Sequence, residues 1–68
     1  MIEDPKKVVE EIVSRVGKKL ARELLEAAKV NESTAEKLVG GRYTSAVGFL
    51  LAQKIYRAHA SALKRQSA

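Results

Sequence analysis

Cysteine is absent from this 68-residue chain, which rules out a disulfide framework and any thiolate metal site. The single histidine, His59, cannot build a His-rich zinc site. No apolar run approaches the roughly 18–20 residues of a membrane-spanning helix. Glycine is scarce, and the pair Gly40-Gly41 lacks the following Lys-Ser/Thr of a phosphate-binding loop. There is no nucleophile-elbow motif and no paired His/carboxylate spacing. A domain this small also has little room for a substrate pocket of roughly several hundred Å³. These absences argue against an enzyme, a metal site, a cofactor or a small-molecule substrate. The start, Met1-Ile2-Glu3-Asp4-Pro5, is acidic where a secretory leader is basic, so the expectation is a cytoplasmic chain without a signal peptide.

With one proline and little β-branched alternation, what remains is rich in Ala, Leu, Glu, Lys and Arg, a composition suited to helices. Asp4 and Pro5 spell an N-cap and first helical position. Val8, Val9, Ile12, Val13 and Val16 then recur on one stripe, and Lys7 and Glu11 offer an i, i+4 surface pair. Gly17 leaves two readings open: a left-handed stop followed by a second helix, or an unbroken helix in which glycine costs about 1 kcal/mol. The pattern stops at Lys29-Val30, where Asn31 as a cap competes with a Ser33/Glu36 capping box for the start of a short helix that ends at Gly40-Gly41. Thr44 or Ser45 is the expected cap of the last helix. The expected architecture is all-α, a single domain with helices at about 5–16, 18–28, 32–39 and 45–64.

The last helix carries more apolar surface than docking on one core requires. Val47, Leu51, Ile55, Ala58 and Ala62 form one stripe, and Phe49, Ala52, Tyr56, Ala60 and Leu63 form a second beside it. Small cores of this size are marginal, so the second stripe, with Phe49, Ala52, Tyr56 and Leu63 at its centre, is the expected homodimer seam. His59 reads as a core-edge or interface histidine with one satisfied nitrogen. The Phe49/Tyr56 spacing fits packing better than base stacking.

Charge is unevenly placed. The chain carries 13 Lys and Arg against 8 Asp and Glu, and no acidic residue follows Glu36. Lys37, Arg42, Lys54, Arg57, Lys64 and Arg65 are unopposed over that stretch, which would attract a polyanion through counterion release or simply form a solvated face.

The segment from Arg22 to Ile55 resembles the helix-turn-helix of Cro/phage-repressor-type regulators. Glu23 to Ala28 resembles the end of a positioning helix, Lys29-Val30 the turn, Asn31 to Leu38 a recognition helix, Gly41-Arg42-Tyr43 a second turn, and Ser45 to Ile55 the closing helix. Val30, Ala35 and Leu38 fall where that motif buries small or aliphatic side chains, and the small Ala35 allows close helix crossing. The sequence departs from the family at Leu25, where a small Ala is usual, and at Lys29, where Gly is usual. Glu32 and Glu36 also place carboxylates where phosphates approach. The resemblance implies a sequence-specific double-stranded DNA-binding protein, a small homodimeric transcriptional regulator of phage or plasmid type. Asn31, Glu32, Ser33, Thr34, Glu36 and Lys37 would face the major groove, and Arg42 and Tyr43 would touch phosphates. Two other readings stand beside it: a helical protein–protein interaction module, antitoxin-like or an assembly adaptor, and an RNA-binding helical protein.

Overall fold

A computed structural model describes the backbone of residues 4–67 and the side chains of residues 4–65; the acidic start Met1-Ile2-Glu3 lies outside them. Four helices follow in order: α1 (Pro5–Val16), α2 (Lys18–Ala27), α3 (Glu32–Val39) and α4 (Phe49–Ser67), with no strand among the described residues. The chain is all-α, as the sequence indicates.

Each boundary has a local cause. Asp4 caps α1, its Oδ1 accepting the Lys6 N–H at 3.0 Å, with Pro5 in the first turn. Gly17 breaks the chain between α1 and α2. Its φ of 88° with ψ of 163° lies in a region open essentially to glycine alone. Its N–H donates to the Val13 carbonyl at 2.8 Å and its carbonyl accepts from Ala21 at 2.9 Å, so one residue closes one helix and opens the next. The unbroken reading is excluded.

The end of α2 is a Schellman turn built without glycine. Val30 N–H donates to Leu25 O at 3.0 Å and Lys29 N–H to Glu26 O at 2.9 Å. Lys29 takes φ 75°, the left-handed conformation that costs an L-residue roughly 1–2 kcal/mol. Val30 and Leu25 are both buried and supply the apolar contact that accompanies this motif. Lys29→Gly is therefore expected to raise the urea midpoint by an amount equivalent to about 1 kcal/mol, and Lys29→Val to lower it. Equal stability of wild type and both variants would contradict the strain.

At α3 the competition between caps resolves to Asn31, whose Oδ1 accepts the Ser33 N–H at 2.9 Å. The exit repeats the Schellman pattern, Arg42 N–H to Lys37 O at 2.8 Å and Gly41 N–H to Leu38 O at 3.2 Å, now with Gly41 at φ 74°.

The last helix departs from expectation at both ends. It begins at Phe49 rather than about Ser45, and runs to Ser67 rather than Lys64. Thr44 and Ser45 have the chemistry of caps, but a helix starting there would have to carry Gly48 in its first turns. Instead residues 43–48 run as coil, Tyr43 and Val47 pack onto the core, and Gly48 O accepts the first α4 bond from Ala52 at 2.9 Å. Val47 thus reaches the core from a loop and not from the helical stripe. No Pro or Gly follows Lys64 to stop the helix.

One cluster of thirteen buried residues draws on all four helices and the α2–α3 turn, with Val8, Val9, Ile12, Leu25 and Ile55 its largest fully buried members. The α4 helix, about 28 Å long at 1.5 Å per residue, nearly spans the 34 Å longest extent of the molecule. It packs against α1 and α2, while α3 packs against α2 and α1 and makes no close approach to α4 among the described residues.

A polar clamp joins α1 to α4. Glu11 Oε2 accepts from His59 Nε2 at 2.9 Å and from Arg15 Nε at 3.0 Å, so the Lys7 pairing suggested by spacing gives way to these two. The hydrogen bond from His59, then that from Arg15, holds the Glu11 carboxyl below the usual glutamate range. A lowered carboxylate pKa stabilises the fold at pH values above the unfolded pKa, and the contribution is lost as pH falls through the folded one. The stability difference between wild type and Glu11→Gln is accordingly expected to shrink as pH drops from neutral into the acid range, read from urea unfolding at each pH.

Candidate nucleic-acid interface

The position of α3 follows from its two faces. Ala35 and Leu38 are buried against the neighbouring helices, Ala35 with no exposed surface. Leu25 on α2 is equally buried, in the same core cluster as Ala35. The opposite face of α3 stays in solvent: Asn31, Glu32, Ser33, Glu36 and Lys37 are exposed, and Thr34 is half-buried.

The individual side chains differ in how free they are. The Asn31 Oδ1 already accepts the cap hydrogen bond from Ser33 N–H, and its side-chain NH2 group can donate to a ligand. Arg42, immediately after α3, reaches back to place Nη2 3.7 Å from Glu36 Oε1, both side chains remaining about two-thirds exposed. A surface pair this loose contributes little to stability and leaves the guanidinium available. Tyr43 is half-buried: its ring packs on the core and lies under the Lys6 ammonium, 5.7 Å from the centroid. That cation–π contact ties α1 to the loop after α3.

Three further basic residues lie outside the expected set. Arg22 on α2 shares a shallow cleft with Glu32, Ser33 and Glu36. Lys18 and Lys19 are exposed in the first turn of α2, where Gly17 offers no side-chain cap to the free N–H groups. The signal was present in the sequence as a Lys-Lys pair directly after a helix-breaking glycine. Such an end favours anions.

The second stripe of α4 is uneven. Phe49 is 76% exposed and Leu63 37%, while Ala52 and Tyr56 are half-buried, Tyr56 packing on the core. Leu50, not part of the expected seam, is 69% exposed beside Phe49. No helix is long and apolar enough to cross a membrane, and no group of three or more His, Asp or Glu side chains is placed to hold a metal ion, among the described residues. Compared with known protein families, with curated proteins and with solved structures, the chain matches none.

Proposed function

We propose that this chain is a small sequence-specific double-stranded DNA-binding regulator that works as a homodimer, with α3 entering the major groove. The observation that carries the reading is the presentation of α3. It is a short helix, joined to α2 by a tight left-handed turn at Lys29, with its inner face buried on α2 and α1 and its polar face outward. The left-handed backbone at Lys29 supports the resemblance at the position where that family usually carries glycine. Lys37, Arg42 and Arg22 supply cations for phosphates around that face.

Dimerisation rests on α4. Helix-turn-helix dimers read half-sites one helical turn, about 34 Å, apart, a separation that two bodies with extents of 34 × 27 × 19 Å can set. Phe49→Lys is expected to yield a folded monomer, because Phe49 is mostly in solvent and its loss leaves the core intact. Sedimentation would then read half the wild-type mass; an unchanged mass removes Phe49 from the interface. The adjacent exposed pair Phe49 and Leu50 equally suits an adaptor that docks on another protein. Selection of bound duplexes from a random pool, followed by affinity against salt, separates the two. The regulator enriches one sequence and binds it with steep salt dependence, whereas an adaptor does neither.

A further inference from the structure

We infer that the target site of α3 presents cytosine amino groups at two positions about two base pairs apart, read by Glu32 and Glu36. The inference rests on the DNA-binding reading above and concerns what that surface selects. Glu32 and Glu36 are four residues apart, hence on one side of the helix and separated by about 6 Å along its axis. Base pairs repeat every 3.4 Å or so, so two side chains along the groove span about two steps. Both carboxylates are exposed, and they line one cleft with Arg22. With Arg22, Lys37 and Arg42 around them, the face is not an acidic cluster of the kind that collects metal ions.

An ionised carboxylate only accepts hydrogen bonds. Among base edges in the major groove, only the adenine and cytosine amino groups donate. The adenine amino group lies between two acceptors, its own N7 and the O4 of the paired thymine, both of which repel a carboxylate. The cytosine amino group has one such neighbour, the guanine O6, and a C–H edge on its other side. Cytosine is therefore the base that satisfies a glutamate at least cost. A site without it leaves a carboxylate facing acceptors in a phosphate-lined groove, so the pair acts chiefly by rejecting wrong sequences. The loose Arg42–Glu36 pair keeps Glu36 partnered in the free protein and can open when Arg42 takes a phosphate.

The test uses the full chain. Duplexes are selected from a random pool by wild type, Glu32→Gln and Glu36→Gln, and affinities are measured for the winning duplex with each selected cytosine replaced by N4-methylcytosine. That base still pairs but has lost the amino hydrogen in the major groove. Both glutamates are exposed, so the glutamine variants are expected to fold normally, which circular dichroism checks. The expected result is two enriched cytosines at the stated spacing and a loss of about ten-fold on methylation of either. Each glutamine variant should move one of those positions toward adenine, which glutamine reads bidentately. If wild type selects a sequence without such cytosines, or the glutamine variants select the same sequence as wild type, the inference is overturned while the DNA-binding reading stands. If wild type binds no duplex at low salt, both fall.

Discussion

Replacing Ile55 with alanine is expected to remove a large share of the protein's stability. Ile55 is fully buried, and among the described residues it is the one large side chain that α4 places among the fully buried residues of the core; its companions there, Ala58 and Ala62, are small. Truncating a buried isoleucine costs about 2–5 kcal/mol, counting both the transfer energy of the removed atoms and the cavity left behind. Total stability for a chain of this length is on the order of 3–10 kcal/mol. The change is thus a large share of the whole, and it falls where the longest helix is attached to α1 and α2. Ile55→Val removes one methylene and should cost about 0.5–1.5 kcal/mol. Urea unfolding followed by circular dichroism measures both. Should Ile55→Ala remain within about 1 kcal/mol of wild type, the packing of α4 on the bundle is not as described.

Removing two of the cations around α3, Lys37 and Arg42, is expected to have the largest effect on binding. Each phosphate that the protein no longer neutralises should reduce the slope of log affinity against log salt by about 0.9, so Lys37→Ala with Arg42→Ala should lower it by nearly two. Arg42→Ala should be the more damaging single change. It takes away from the DNA backbone a guanidinium that carries its charge at any pH, and with it the 3.7 Å partner that holds Glu36 in the free protein. Ser33→Ala should change sequence preference and leave the salt slope as it was, since it carries no charge. Asn31→Ala is a poorer probe of base recognition, because it also removes the α3 cap, a cost of about 1 kcal/mol. Unchanged duplex affinity and salt slope in the Lys37/Arg42 variant at low salt would remove this surface from the proposed interface.

Local chemistry makes much of this legible in the sequence. Asp4-Pro5 and Gly40-Gly41 mark ends that backbone hydrogen bonding makes obligatory, and the apolar stripe of α1 could face only a core. Where two local signals compete, the sequence cannot choose. Asn31 and the Ser33/Glu36 box are both sound caps, and Gly17 is equally a stop or a tolerated interior residue. Those choices depend on where the next helix must lie to bury its apolar face. The start of α4 differs from expectation for the same reason: Thr44 and Ser45 carry the chemistry of caps, whereas the loop is held in place by Tyr43 and Val47 docking on a core assembled from distant segments.

By itself, then, the amino-acid order determined that the chain is helical, roughly where three of its four helices lie, and which of their sides are apolar, because propensity, capping and periodicity act over a few residues. Only the tertiary structure decided that Glu11 is held by His59 across 48 positions, that Tyr43 serves the core, that Arg22 joins the face of α3, and that α3 lies clear of α4 with its polar side in solvent. Those are outcomes of packing between residues far apart in the chain, and burial of the shared core, not any local preference, selects them.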